Sequence, residues 1–335
     1  MNMPKVSVII PVFNARLYLV EALDSIIAQT FSDWELIIIN DGSTDGSKDI
    51  IDQYQDKRIK YIENDTNLGL IASLNKAIDF CSGEYIARMD ADDIAMPDRL
   101  RKQVEFLNTH PDYVLCGTNA LVINNSGEQI GKIRNLTDNK YLQINLLFSD
   151  PFIHPSMMIR RSALTENKYN PLYKHVEDYE LWCRIAKLGK IANIKDDLLK
   201  YRWHDTNVSV VYKDEQLQLK DKILCEQLYQ FDLIPTAEEL SCHKITFQLY
   251  AMGQRKQVSS LQVDEVSQWF AKLIKLNKAK GIYEQLCFIA FVWSRWIVLC
   301  ISQKKYSKML TPAFASYNPL VLVKLVTLLL YLRTK

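Results

Sequence analysis

Three aspartates, Asp90, Asp92 and Asp93, fall within four positions at the end of the stretch "EYIARMDADD", directly after an apolar run. Carboxylates about 5 Å apart repel by roughly 1 to 3 kcal/mol at effective dielectrics between water and a protein surface, so the crowding needs compensation. Hydration at a surface turn would supply it. So would a hard divalent cation such as Mg2+ or Mn2+, which takes oxygen ligands and suits an Asp-x-Asp spacing at a strand end. Asp93 or Asp98 could equally cap the helix expected over "PDRLRKQVEFL". A second acidic pair, Glu177 and Asp178 in "HVEDYELW", opens a helix whose apolar face includes Leu181, Trp182 and Ile185. Carboxylates there suit a helix N-terminus, and they also suit general-base work. In "YRWHDTNVS", His204 is a candidate metal ligand and Arg202 a candidate phosphate contact. "DGSTDGSKDIID" puts Asp41, Ser43, Asp45, Gly46 and Asp49 on calcium-loop positions, but Asp52 stands where the bidentate glutamate belongs and a strand precedes the loop. A calcium loop is therefore set aside.

Behind these side chains, the sequence alternates strand and helix. "KVSVII" is short, β-branched and closed by Pro11, and "ARLYLVEALDSIIAQ" then carries apolar residues at helical spacing. "WELIIIN" with "DGSTDGSKDIIDQY", and "RIKYIEN" with "LIASLNKAIDFCSG", repeat the unit, and "EYIARMD" is a fourth strand. Such alternation predicts an α/β fold with a mostly parallel sheet flanked by helices, and open sheets of that kind bind ligands at the carboxyl ends of their strands. Those ends carry Pro11 to Asn14, Asp41, Asn67, and Asp90 with Asp92. Further on come shorter strands, "YVLCGTNALVI" and "SMMIRR", then the helix "DYELWCRIAKLG" closed by Gly189, and from about 215 the pattern is mostly helical. The expected division is a catalytic domain over 1–213, with halves at about 1–118 and 119–213, and a helical region over 214–335.

At 335 residues with 48% hydrophobic and 24% charged residues, the chain is globular, neither disordered nor a multi-span membrane protein. A net charge of +2 argues for little, and no nucleic-acid partner is expected. Seven cysteines without a C-x-x-C pair fit a reducing cytoplasm, and the N-terminus lacks a secretory pattern. No G-x-G-x-x-G follows the first strand and no G-x-x-x-x-G-K-[ST] occurs. Two apolar segments, about 284–301 and 319–332, are interrupted by Arg295 and Lys324 and are short for a membrane span. With Lys304, Lys305, Lys308, Arg333 and Lys335 beside them and Trp293 and Trp296 one turn apart, they suit an interfacial anchor, or two packed core helices.

Taken in order, "VSVIIPVFN", "DWELIIINDGSTDGS", "NLG", "GEYIARMDADD", "HPSMMIRRS", "EDYELWCRIAKLG" and "YRWHDTNVS" resemble family 2 glycosyltransferases, the inverting enzymes of GT-A fold that use nucleotide-activated sugars. The resemblance spans roughly 4 to 210. It implies a Rossmann-like sheet with Pro11, Val12 and Asn14 lining the nucleotide pocket, Asp41 recognising the base, usually uracil, and Asn67 nearby. It also implies Asp90 at the ribose and metal edge, Asp92 as the metal ligand, His204 as a further ligand, and Asp178 as catalytic base, with Glu177 and Trp182 on the acceptor side and Arg202 on the donor side. Mn2+ or Mg2+ would be the cofactor. The partners implied are a UDP-sugar and a polyprenyl-diphosphate-linked saccharide in surface polysaccharide synthesis, at the inner face of the cytoplasmic membrane. Two other functions stay open: a sugar-phosphate nucleotidyltransferase, opposed by the glycine-free turn "PVFNARLYL", and a non-catalytic glycan-binding module.

Overall fold

The computed structural model describes residues 3–204, 212–251, 260–309 and 319–333. It falls into two compact units, one formed by 1–137 with 151–219 and the other by 138–150 with 220–335.

The first unit is built on a nine-stranded sheet. Strands β1 (Val6–Val12), β2 (Trp34–Asn40), β3 (Ile59–Glu63) and β4 (Tyr85–Arg88) pair in parallel in the order β3-β2-β1-β4. Every residue of β2 is buried and all of β1 but Pro11, as expected of parallel strands covered on both faces. Helix α1 (Leu19–Ile27) lays Leu19, Ala22, Leu23 and Ile26 on the same core as Val8, Ile10, Leu36 and Ile38. Each of these larger side chains, fully enclosed, contributes about 1.5 to 3 kcal/mol relative to exposure. Helices α2 (Ser47–Ile51), α3 (Leu70–Phe80) and α4 (Arg99–Thr109) complete the alternation read in the sequence.

Beyond β4 the sheet changes sense. Strand β8 (Met158–Arg160) inserts antiparallel between β4 and β6 (Tyr113–Ile123), and β9 (Lys190–Arg202) pairs with β6 on one side and with the two-residue β5 (Ile94–Ala95) on the other. Strand β7 (Gln129–Ile133) hangs on β6. The helix over "DYELWCRIAKLG" runs Glu177–Ile185 and stops short of Gly189. That glycine answers a different need: a Cβ there would meet Val114 Cγ1 at 2.7 Å and the Asp112 carbonyl at 3.0 Å where the chain enters β9.

The second unit is helical. Within it, helix Gln285–Ser302 is, among the described residues, the one long and apolar enough to cross a membrane, and 61% of its apolar window is buried. Trp293 and Trp296 donate their indole N–H groups to the Met309 and Lys308 carbonyls, and the Arg295 guanidinium donates to Asn145 at 3.1 Å. Both tryptophans lie inside the unit, so they do not form the interfacial belt that their spacing suggested. His243 is likewise enclosed, donating from Nε2 to the Leu147 carbonyl and accepting at Nδ1 from Trp269, and burial pushes its pKa down to about 4.

Candidate active site

The expected donor residues lie at the carboxyl ends of β1, β2 and β3, where three loops are stitched together. Asn14, in left-handed conformation at φ 50°, accepts from the Thr44 amide through Oδ1 and donates its own amide to Ser43 Oγ. Asp45 gathers the Arg16 amide and the Ser47 hydroxyl. Asp41 is almost fully enclosed, and its carboxylate accepts from Asn64 Nδ2 at 2.7 Å, the Leu68 amide at 2.9 Å and the Gly69 amide at 2.8 Å. It thereby fixes the "NLG" turn, on which Asn67 stands exposed. Gly42 permits the approach: at φ 73°, a Cβ would sit 2.8 Å from the Thr66 carbonyl carbon. Pro11 is partly open and Val12 is buried beneath. Of the residues on the calcium-loop positions, Asp41, Ser43 and Asp45 are used in this stitching.

The aspartate cluster follows β4. Asp90, Asp92 and Asp93 offer carboxylate oxygens that all lie within 4.8 Å of one another, the acidic grouping of this kind among the described residues. Each aspartate has its own partner. Arg88, the last residue of β4 and two positions earlier, grips both oxygens of Asp90, with one bond of 2.6 Å. Asp92 Oδ2 meets His204 Nε2 at 2.9 Å, and His204 stacks on Tyr18. Asp93 accepts the Arg202 amide at 2.8 Å, so it belongs to the cluster and not, as one reading had it, to the cap of α4. Asp98 holds that N-cap position without bonding a helix amide, pairing with Thr30 and Arg101 instead. Burial, reinforced by the Asp92 and Asp90 charges, holds the Asp93 carboxyl well above the usual range, and burial also raises Asp90 against the pull of Arg88.

Arg202 stands apart from its expected phosphate contact. Its guanidinium is spent inside the fold, donating to the Asp92, Asn124 and Asn125 carbonyls and to Glu21 Oε2, with the Tyr18 ring 4.2 Å away. It braces the aspartate turn from behind.

A hard divalent cation fits this donor set. Several carboxylate oxygens converge where one arginine pairs directly with Asp90, and Asp93 Oδ2 is buried without a hydrogen-bonding partner. His204 Nε2, the nitrogen that faces the cluster, is engaged by Asp92 Oδ2 at 2.9 Å, so the donors that converge here are carboxylate oxygens, the kind Mg2+ and Mn2+ prefer.

Glu177 and Asp178 open α7 (Glu177–Ile185; α5, Asn139–Leu146, and α6, Arg161–Glu166, precede it). Asp178 keeps 26% of its side chain open, with Oδ2 3.9 Å from His154 Nδ1, while His154 Nε2 lies 2.8 Å from the Tyr169 hydroxyl. Glu177 is turned inward, its Oε2 without a partner, and burial together with the neighbouring Asp178 charge pushes its pKa up to about 7. Trp182 is fully enclosed, edge-on to Phe152 and His154, so it supports the site from beneath and offers no face to an acceptor.

Arg88 and His154 lay inside quoted motifs without being singled out. Arg88 is buried, and its charge acts on Asp90 and Tyr169 and reaches His154 and Glu177. One cation therefore serves both acidic groups. A signal was present in the i, i+2 spacing of Arg88 and Asp90; for His154 there was none, because its neighbours come from distant segments.

The Glu177 shift has a measurable sign. A carboxyl whose folded pKa, about 7, exceeds its unfolded value of 4.5 keeps its proton preferentially in the folded state. Stability therefore falls as pH rises from about 4.5 to about 7 and is level beyond. Glu177→Gln removes the effect, worth on the order of 3 kcal/mol. Its Tm should match the parent near pH 4.5 and exceed it at pH 8; a difference that stays flat across that range would sink the assignment.

Residues 7–167 match the family model "Glycosyl transferase family 2". An uncharacterized glycosyltransferase of Haemophilus influenzae is 38% identical over 239 residues, covering 68% of this chain and 74% of that protein. The O-antigen biosynthesis glycosyltransferase WbnJ of Escherichia coli is 35% identical over 211 residues, 60% of this chain and 80% of its own length. Among solved structures, S. aureus TarS 1-349 in complex with UDP-GlcNAc superposes with a TM-score of 0.60 at 17% identity, covering 91% of this chain and 92% of that one. That likeness speaks to the fold: a mixed α/β sheet of the GT-A kind followed by helices. With the Haemophilus influenzae relative 38% identical and matched over 74% of its length, the chain belongs to glycosyltransferase family 2.

Proposed function

We propose that the chain moves a sugar from a UDP-sugar to a hydroxyl of a saccharide carried on polyprenyl diphosphate, with inversion and with Mn2+ or Mg2+, in surface polysaccharide synthesis. One observation carries the reading: the aspartate cluster with His204 and the Glu177–Asp178 pair both belong to the first unit and share one buried arginine. Pro11, Val12, Asn14, Asp41 and Asn67 would line the donor pocket, with Asp90 at its sugar end and Glu177 behind the acceptor. Asp92, Asp90 and His204 would hold the cation, which when bound neutralises charge on the departing diphosphate. Asp178 accepts the proton of the acceptor hydroxyl as that oxygen bonds to the anomeric carbon. The bond from this carbon to the diphosphate oxygen breaks on the opposite face, and its electron pair leaves with UDP. The O-antigen biosynthesis for which WbnJ is named supports a saccharide acceptor, and the UDP-GlcNAc bound by TarS supports a UDP-sugar donor.

The purified chain should release nucleotide from one or more UDP-sugars, and not from GDP- or CMP-sugars, with Mn2+ or Mg2+ but not with EDTA. The acceptor, a lipid-linked saccharide, should gain one sugar whose anomeric configuration is opposite to the donor's by NMR. Turnover of a GDP-sugar alone, a retained configuration, or binding without turnover across the acceptor panel would each overturn the reading.

A peripheral membrane position is part of the proposal. Helix Pro319–Arg333 buries Val321, Leu325 and Leu328 on one side, while Leu320, Leu322, Val323 and Val326 stand exposed on the other. Apolar side chains exposed on the outer face of a surface helix suit the interior edge of a lipid surface, and Lys304 and Lys305 precede the helix by about 15 positions. Full-length protein should float with vesicles rich in phosphatidylglycerol, and V323E/V326E should stay with the unbound fraction; equal flotation of both would remove the helix from the argument.

A further inference from the structure

We infer that His154 is a positioning residue for Asp178, donating from Nδ1–H to the carboxylate while its Nε2 is held by the hydroxyl of Tyr169. This deepens the reading of Asp178 as the base and rests on it.

The argument begins with how the imidazole is fixed. His154 sits in the turn His154–Ser156, and Met158 and Ile159, just after it, pair with Ala87 and Ile86 of β4, so the ring is brought in beside Arg88. Tyr169 is pinned by its backbone, whose amide donates to Asn75 Oδ1 and whose carbonyl accepts from Asn75 Nδ2, at 2.9 and 2.8 Å. Its hydroxyl then meets Nε2 at 2.8 Å, and Trp182 packs edge-on against the imidazole. The ring has little freedom left. Its remaining nitrogen, Nδ1, faces Asp178 Oδ2 at 3.9 Å.

Tautomer and charge follow from the neighbours. Burial and the Arg88 charge keep the imidazole neutral, so one nitrogen carries hydrogen and the other a lone pair. A lone pair on Nδ1 would face a carboxylate, whereas Nδ1–H would face an acceptor. The second arrangement is favourable and lets the Tyr169 O–H donate to Nε2. At 3.9 Å the last bond is longer than a formed hydrogen bond, and such bonds commonly tighten when substrate binds. Arg88, Tyr169, Glu177, Asp178 and, acting on Asp178 and Tyr169, Asp90 are charged or titratable groups around the ring and its carboxylate.

Two substitutions separate this role from packing. The amide nitrogen of His154→Asn can take the place of Nδ1, and that of His154→Gln the place of Nε2. H154N should keep kcat within about fivefold of the parent. H154Q should lose about 30-fold with the UDP-sugar KM within twofold, both variants matching the parent in Tm to within a few degrees. Equal kcat for the two, or a loss carried in KM, would overturn the inference. A second readout does not depend on turnover: in 15N-histidine spectra of the full chain, the His154 resonances, identified by their absence in H154N, should report the Nδ1–H tautomer. The Nε2–H tautomer would overturn the inference while leaving Asp178 untouched. Conversely, an active D178N with an Nδ1–H His154 would remove the base and leave the hydrogen bond standing without a catalytic role.

Discussion

Asp178→Asn is expected to lower kcat for sugar transfer by about three orders of magnitude while leaving UDP-sugar affinity within twofold. A positioned general base contributes on the order of 100- to 10,000-fold, and the amide cannot take up the proton that the acceptor hydroxyl must lose. Asparagine preserves the local fold, because its side-chain oxygen can still accept the Tyr179 amide that Asp178 Oδ1 holds at 2.7 Å. Glu177 is poorly placed to substitute: it is turned into the core and its pKa of about 7 leaves much of it protonated at neutral pH. Steady-state rates with a saturating acceptor, set beside calorimetric titration of the donor, check the prediction. Parental turnover by D178N would remove the base assignment.

Asp92→Asn should be as damaging by a different route. It removes one negative charge from the three-carboxylate cluster and weakens the bond to His204, so Mn2+ binding should fall by at least 10-fold and transfer by about 1,000-fold. Stability should move the other way. With a like charge removed from a cluster within 4.8 Å, the cation-free variant should melt no lower than the parent, although the repulsion relieved is only about 1 kcal/mol. Mn2+ titration followed by electron paramagnetic resonance, together with melting curves in EDTA, tests both halves. A variant that melts well below the parent would show the aspartate to be a structural tie, and undiminished Mn2+ affinity would move the metal elsewhere.

How much of this could be read in advance depended on distance along the chain. Strands β1 to β4 and their helices announced themselves because each is a local unit, and the polar groups at their ends were placed by the same local logic. The second half was harder. Strand β8 enters the sheet between β4 and β6, a pairing that no short-range periodicity encodes. It is this insertion that sets His154 beside Arg88. For the same reason Arg202 looked like a phosphate ligand: as the last residue of β9, only its pairing reveals the carbonyls behind the aspartate turn that absorb the guanidinium. Trp182 misled in the ordinary way of aromatics on an amphipathic helix, where spacing gives the face but not what covers it.

The bond between Asp93 and the Arg202 amide spans 109 positions, and that separation has a temporal meaning. At synthesis rates of about 5 to 20 residues per second, β1 to β4 leave the ribosome several seconds before the strand that completes the aspartate turn. Pairings so remote in sequence are also slow to close once both partners exist. During that interval the cluster lacks the Arg202 brace. The nascent chain can therefore assemble the parallel half of its sheet first, and its acidic centre is finished among the last parts of the unit.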